Sequence, residues 1–354
     1  MTLNHEKIDA GQIDDGQWSA AVDVISRAES LLLLGHVSPD GDALGSALAV
    51  GLALRDLGSH HVQVSFGDDP FVVPANLANL PGLDLLVPPS EITGGISSDG
   101  TGAPDVVVTF DASSADRLGV LRSVGERAKT LLAVDHHSSY DGFGSMELVD
   151  VTAPATAVIA DELIRRLGAD LTRDIAACLY TGLVTDTGSF RYPGTTSATH
   201  EFAGRLLDTG IAFDEITRDL FDSAPFSYLG LLGQALDTAQ FEPSAAGGFG
   251  LVWTLVPAAE RQRRGLAFDL VEPIIDVVRR AVEAEVAVVL KEDDTGELRV
   301  SMRSKGKIDV SKVASALGGG GHRYAAGFTS VSREPSQVMD DVRQALAVAA
   351  HEPA

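Results

Sequence analysis

A chain of 354 residues with 45% hydrophobic content is long enough for two packed domains and excludes wholesale disorder. Its 50 acidic against 27 basic residues give a formal net charge of -23, which argues against a protein that tracks along long duplex DNA, because affinity for a polyanion comes from Lys and Arg neutralising phosphates. A single cysteine excludes an internal disulfide. No apolar stretch approaches the roughly 20 residues of a membrane span, and the polar, acidic segment Met1 to Gln17 does not read as a signal peptide, so a cytoplasmic protein is expected.

From Ser30 to about Gly210, short apolar runs alternate with amphipathic stretches, the pattern of βαβ units around a mostly parallel sheet. Strands are expected at Leu31 to Gly35, Val62 to Phe66, Val106 to Phe110 and Leu131 to Val134. A helix is expected from Ala43 to Leu57, opened by Asp40 and Asp42, whose carboxylates suit a helix N-terminus, and closed by Gly58. Leu171 to Leu183, Ser197 to Asp208 and Asp214 to Phe221 also read as helices, and Phe226 to Leu236 as the connection out of the first domain. Within the first of these, Cys178 sits among Ile175, Ala176, Ala177 and Leu179 and reads as a buried helix residue rather than a nucleophile. Strands at Phe249 to Leu255, Val286 to Leu290 and Leu298 to Met302, with helices at Asp309 to Leu317 and Ser336 to Ala349, predict a smaller α+β domain. The expected fold is therefore α/β, with one domain over residues 1–225 and a second over 226–354. Gly94 to Gly102 and Ser244 to Gly248 read as loops.

Acids and histidines gather where apolar runs end. His36-Val37-Ser38-Pro39-Asp40-Gly41-Asp42 follows the first strand, Asp111 follows Val106 to Phe110, Asp135-His136-His137 closes the next run, and Asp186 ends Gly182-Leu183-Val184-Thr185. Each alone could be a cap or turn residue, but together they bury many uncompensated charges unless cations are present. Carboxylate, imidazole and water donors without thiolate suit a borderline-hard divalent ion, Mn²⁺ first, with Mg²⁺ or Co²⁺ as substitutes and zinc a weaker fit. Two such ions about 3.5 to 4 Å apart need a bridging carboxylate and acidify a shared water, chemistry suited to phosphate ester hydrolysis.

The second half carries Arg299, Arg303, Lys305, Lys307, Lys312 and Arg323 around Gly318-Gly319-Gly320-Gly321-His322, with Asp309 the single acid between Arg299 and Arg323. In so acidic a chain this reads as an anion clamp, since glycine backbone can approach a phosphate closely and offer N–H donors. Arg261, Arg263 and Arg264 read instead as a solvated helix face.

The order of these motifs resembles the DHH phosphoesterase superfamily through nearly the whole chain. Arg303-Ser304-Lys305-Gly306, Asp309-Val310-Ser311, Gly318 to His322 and Ala325-Ala326-Gly327 look like its DHHA1 substrate-binding domain, and the two-domain arrangement is most similar to the NrnA type. Exonucleases of the RecJ type carry further domains for which this chain has no room, and family II pyrophosphatases lack the glycine-histidine motif. The resemblance implies hydrolysis of short oligoribonucleotides, 3'-phosphoadenosine 5'-phosphate (PAP), or cyclic di-AMP and its linear form pApA. It also implies a homodimer. On that resemblance His36, Asp40 and Asp111 hold one ion, and Asp42, Asp111, His136 and Asp186 the other, with Asp111 as the bridge. Asp135 is expected to fix the ring of His136. His137 is expected beside the substrate phosphate, orienting it or protonating the leaving oxygen. Arg303, Ser304, Gly319, Gly320, Gly321 and His322 are expected to grip the distal part of the substrate. The rival readings are a pyrophosphate or polyphosphate hydrolase and a nucleotide sensor without turnover.

Overall fold

Leu, Val and Phe runs without a polar alternation form strands covered on both faces, and these organise the first half of the chain. In this computed structural model the described residues are 13–59, 61–92, 104–331 and 333–351, so the Gly94 to Gly102 loop lies outside them. The chain divides into two compact units between Ser223 and Ala224.

The first unit contains helices α1 (Asp15–Arg27), α2 (Gly41–Asp56), α3 (Arg122–Arg127), α4 (Thr156–Leu167), α5 (Arg173–Asp186), α6 (Ser197–Leu207) and α7 (Phe213–Phe221). Its strands are β1 (Leu31–Gly35), β2 (Val62–Phe66), β3 (Val106–Phe110), β4 (Thr130–Asp135) and β5 (Met146–Val149). All strand pairs are parallel, in the order β2-β1-β3-β4-β5. Every residue of β1 and β3 is buried, as expected where crossover helices cover both sheet faces. The chain order reverses direction between β1 and β3, and such a switch point opens a crevice at the carboxyl ends of the strands.

Helices α1, α3 and α4 and strand β5 have no counterpart among the elements expected from the sequence. Helix α1 starts from a capping box in which Asp14 and Gln17 bond each other's backbone N–H. Strand β5 is a four-residue sheet edge with Glu147 exposed, and α4 follows an Ala155 N-cap that cannot bond its own first turn. Helix α2 is buried from Gly41 to Leu54 and packs on α5 so closely that a Cβ on Gly45 would lie 2.4 Å from the Cys178 carbonyl oxygen. Cys178 itself is buried in α5, where desolvation pushes its thiol up, away from the nucleophilic thiolate. Among the described residues no helix is long and apolar enough to cross a membrane.

The second unit comprises α8 (Phe226–Asp237), β6 (Gln240–Glu242), β7 (Leu251–Val256), α9 (Ala258–Arg263), α10 (Ile274–Val278), β8 (Val286–Glu292), β9 (Leu298–Ser304), α11 (Val310–Ala316), β10 (Gly320–His322), β11 (Ala325–Ser330) and α12 (Pro335–Ala349). Its sheet runs β10-β11-β9-β8-β7-β6 and is antiparallel except between β7 and β8. Val313, Met339, Val342 and Leu346 pack on one face against Val288, Leu290, Val300 and Met302. Leu231, Ile274, Ile275 and Val278 pack with Val252, Ala287 and Val289 on the other.

One expectation for this half needs correction. Arg261 is not on a solvated face: it is buried, donates 2.9 Å to the Leu266 carbonyl and pairs with Asp294, fastening α9 to the β8–β9 turn. Arg263 does pair in the open with Glu260, while Arg264 also bonds Gln234 of α8. In the glycine run, Gly320 to His322 form the edge strand β10. A Cβ on Gly319 would lie 2.1 Å from the Gly327 carbonyl oxygen, and one on Gly321 would lie 2.6 Å from that of Ala325. Two of these glycines are therefore dictated by packing. Gly319→Ala is expected to destabilise this unit by about 1 to 3 kcal/mol, the usual cost of overpacking, read as a lower midpoint in denaturant. An unchanged midpoint would mean that the hairpin shifts to accept the methyl group.

Candidate metal centre

The carboxyl ends of β1, β3 and β4 are adjacent in the sheet, so the residues that leave them emerge side by side. His36 follows β1, Asp111 follows β3, and Asp135 ends β4 with His136 and His137 after it. The N-terminus of α2 adds Asp40 and Asp42, and the C-terminus of α5 adds Asp186. Gly182 lets these two helix ends meet, since a Cβ there would lie 2.7 Å from the Asp42 carboxylate.

Ligand atoms of His36, Asp40 and Asp111 lie within 4.8 Å of one another, as do those of Asp42, Asp111 and His136. Asp111 belongs to both groups and presents a different oxygen to each: Oδ2 is 3.6 Å from His36 Nε2, and Oδ1 is 3.4 Å from His136 Nε2. Asp40 divides its carboxylate similarly, with Oδ1 capping α2 at the Asp42 and Ala43 N–H groups and Oδ2 3.6 Å from His36 Nε2. Asp186 Oδ2 lies 3.1 Å from His136 Nε2. Separations of 3.4 to 3.6 Å are too long for good hydrogen bonds. They match two donors that share one small divalent ion at about 2.0 to 2.2 Å each, which stand about 3.0 to 3.6 Å apart.

The electrostatics agree with that donor set. Burial and the neighbouring carboxylates of Asp111 and Asp186 push the Asp42 carboxyl well above the usual carboxylate range. Burial acts the same way on Asp111, yet His137, His36 and His136 together hold it well below that range. Burial and Arg117 pull the His36 imidazole down, but Asp40 and Asp111 outweigh them and push it up to about 9. Burial also opposes charge on His136, and Asp186 and Asp111 raise it well above the ordinary imidazole range. Without cations, the surroundings therefore favour protons both on the imidazoles and on Asp42. Divalent cations would replace those protons and leave neutral rings as ligands, so the residues fit such ions.

Backbone strain marks the same positions. Asp111 and Ser38 have φ of 60° and 52°, a region where L residues other than Asn and Asp are uncommon. The Asp111 N–H reaches the Val134 carbonyl at 3.0 Å, which keeps its backbone joined to β4.

The expected partner of Asp135 is corrected by the structure. His136 Nδ1 bonds the Ala153 carbonyl at 3.0 Å, which orients its ring. Buried Asp135 instead accepts from His137 Nδ1 at 2.7 Å and from the His136 N–H at 2.9 Å. Adjacent residues leaving a strand diverge, and it is the second imidazole that turns back to the carboxylate. Burial lowers the basicity of His137, while Asp111 and Asp135 more than restore it and raise it above the ordinary imidazole range.

Residues without an obvious sequence signal complete the arrangement. Thr156, fully buried, donates from Oγ1 to Asp111 Oδ1 at 2.9 Å. Both oxygens of Asp42 accept from the first turn of α4, at 2.6 Å from Thr156 N–H and 2.9 Å from Ala157 N–H. Asp42 thereby caps a helix whose own N-cap, Ala155, offers no side-chain bond. The Arg117 guanidinium lies 2.9 Å from His36 Nδ1.

In the second unit, Arg303 and Arg299 share one face of β9 with Ser301 between them. Arg303 bonds the Met302 carbonyl at 3.1 Å, its ε nitrogen is buried without a hydrogen-bond partner, and Asp276 is 3.9 Å away. Ser304 is buried, donating to Glu285 at 3.0 Å and accepting the Gly306 N–H at 2.9 Å, so its hydroxyl holds the turn after β9. Gly320 differs from its neighbours: nothing lies within 4 Å of where a Cβ would stand, so packing does not require glycine there. Of the other basic residues, Lys307 lies over the Phe249 ring and Arg323 bonds the Gly306 carbonyl.

The sequence matches two family models, the N-terminal domain of the DHH family over residues 30–183 and the DHHA1 domain over residues 263–351. A protein of Thermus thermophilus named bifunctional oligoribonuclease and PAP phosphatase NrnA is 33% identical over 311 residues, covering 88% of this chain and 87% of that protein. A Bacillus subtilis protein of the same name is 24% identical, over 90% of this chain and 95% of its own length. Among solved structures, an exopolyphosphatase-related protein from Bacteroides fragilis superposes with a TM-score of 0.81 at 24% identity, covering 94% of this chain and 96% of that one, a likeness of fold. The match to both domains in order, with a relative 33% identical over most of its length, establishes that the chain belongs to the DHH family and is a phosphoesterase with a DHHA1 domain behind its DHH domain.

Proposed function

We propose that this chain hydrolyses phosphate esters of short nucleotides to mononucleotides with the help of two divalent ions, Mn²⁺ foremost. The observation that carries this reading is Asp111, buried, strained, and common to both candidate ligand groups with one oxygen toward each. His36, Asp40 and Asp111 would hold one ion, and Asp42, Asp111, His136 and Asp186 the other. Bound there, the ions supply an acidified water near neutral pH and offset charge on the phosphoryl oxygens. His137, held by Asp135 at Nδ1, orients the phosphate or hands a proton to the leaving oxygen through Nε2. Thr156 keeps Asp111 Oδ1 in place, and Ala153 fixes the ring of His136.

The substrate class rests on the relatives named oligoribonuclease and PAP phosphatase. It comprises short oligoribonucleotides, PAP, and cyclic di-AMP or pApA. A cytoplasmic homodimer, with a catalytic domain over residues 1–225 and a substrate domain over 226–354, completes the reading. Turnover of this panel, compared as kcat/KM with Mn²⁺ and after chelation, tests it. Failure of Mn²⁺-loaded protein to turn over any member, or turnover that survives chelation, would overturn it.

Arg303, with Gly320 and His322 on the β10 edge and Gly319 and Gly321 shaping that edge, is proposed to hold a remote part of the substrate, while Ser304 holds the turn beneath. Arg303→Ala should then raise KM for a dinucleotide by roughly 10-fold or more, the loss of a charge-assisted bond, with metal content unchanged. Bis-p-nitrophenyl phosphate lacks the second nucleotide and should barely respond. Equal losses on both esters would put Arg303 in the fold or at the chemical centre instead.

A further inference from the structure

Arg117 lies in the helical turn Ala115–Leu121 and is exposed. Its carbonyl accepts the Val37 N–H at 2.8 Å, which ties its backbone to the residue next to His36. One amino group of its guanidinium is 2.9 Å from His36 Nδ1, and the same Nδ1 is 2.8 Å from the Val37 carbonyl oxygen. A single ring nitrogen cannot serve both: carrying a proton it donates to Val37, and lacking one it accepts from Arg117. For His36 to offer Nε2 to a cation alongside Asp40 and Asp111, the neutral ring must carry its proton on Nδ1. The Val37 carbonyl then takes that proton, and Arg117 is left facing an N–H.

Among the described residues Arg117 makes no ion pair, although the chain has a net charge of -23, and the adjacent Asp116 is occupied by Arg122. An exposed arginine held beside a cation centre, facing a ring nitrogen that donates to Val37, has donors suited to two oxygens of one phosphate.

We propose that Arg117 is a phosphate-contacting residue of the first unit, whose guanidinium, held beside His36, binds the non-bridging oxygens of the substrate phosphate. This rests on the reading of the centre as a divalent-ion site for phosphate esters. No covalent step is assigned to Arg117. Its consequence is that part of the affinity for phosphate resides beside the metal ligands and is independent of Arg303.

The test uses the full-length chain loaded with Mn²⁺ and inorganic phosphate as the probe, titrated calorimetrically, with PAP and pApA turnover measured on the same samples. Arg117→Ala should weaken phosphate binding roughly 10- to 100-fold and raise KM for both nucleotides, as expected for losing a charge-assisted pair. Arg117→Lys should fall between it and the parent protein, because a point charge replaces a fork. Mn²⁺ affinity should stay level, since Arg117 supplies no ligand atom. Phosphate affinity and KM unchanged in Arg117→Ala would overturn the proposal. So would Mn²⁺ affinity falling in step with phosphate affinity, which assigns Arg117 to holding His36, or no phosphate binding by the parent protein. If the parent protein binds phosphate through Arg117 yet turns over neither nucleotide, the substrate reading fails and Arg117 stands. If it turns both over and Arg117→Ala matches it, Arg117 alone fails.

Discussion

Asp111→Asn is expected to remove at least one equivalent of Mn²⁺ and to lower kcat/KM by about 10³-fold or more, a barrier increase of several kcal/mol. The size follows from position: Asp111 is the residue common to both candidate groups, so its loss disturbs two ions at once. Asparagine is the better probe than alanine, because φ at this position is 60° and asparagine tolerates that conformation while removing the charge. Asp111→Ala adds backbone strain and should lose stability as well as metal. Elemental analysis after dialysis against trace Mn²⁺, beside unfolding in denaturant without metal, separates the two effects. Full Mn²⁺ occupancy in Asp111→Asn would remove the shared-ligand assignment, whatever happened to turnover.

What the sequence made legible follows from where charges sit relative to apolar runs. His36, Asp111, Asp135 and His136 each follow or end a run of Leu, Val or Ala that has no other use than a buried strand, so both the parallel sheet and the gathering at its carboxyl edge could be anticipated. Asp42 and Asp186 could be named because acids at the ends of apolar helices are costly without a partner. Thr156 could not, since it is neutral, small, and separated from Asp111 by 45 positions. The Ala153 carbonyl carries no side-chain signal at all, and its bond to His136 leaves Asp135 for the neighbouring ring. Arg117 reads as one arginine in a polar turn until the fold brings it to His36. In the second unit the four glycines read alike as sequence, although Gly319 and Gly321 answer to neighbouring carbonyls and Gly320 does not. Ser304 and Arg261 show the same limit, because a polar residue on a strand or helix does not announce a distant partner such as Glu285 or Asp294.

His137→Ala is expected to keep both Mn²⁺ equivalents while kcat on a dinucleotide falls by roughly 10² to 10⁴, the range for a positioned acid or base. The Asp135 bond at 2.7 Å fixes Nδ1, so proton exchange with a substrate runs through Nε2. Asp135→Asn should produce part of the same loss, because an amide can orient the ring but cannot stabilise its charge. The double variant should be no slower than His137→Ala alone, since Asp135 acts on the reaction through that ring. Leaving-group chemistry supplies an independent check. A p-nitrophenolate departs without protonation, so His137→Ala should cost bis-p-nitrophenyl phosphate much less than it costs a nucleoside leaving group. The rival role is ligation, because His137 Nδ1 is also 3.5 Å from Asp111 Oδ1 and shares a group of potential ligands with Asp111 and Asp135. Ligation predicts that His137→Ala loses as much Mn²⁺ as His136→Ala and slows both esters alike, and that outcome would transfer His137 from the substrate to the metal.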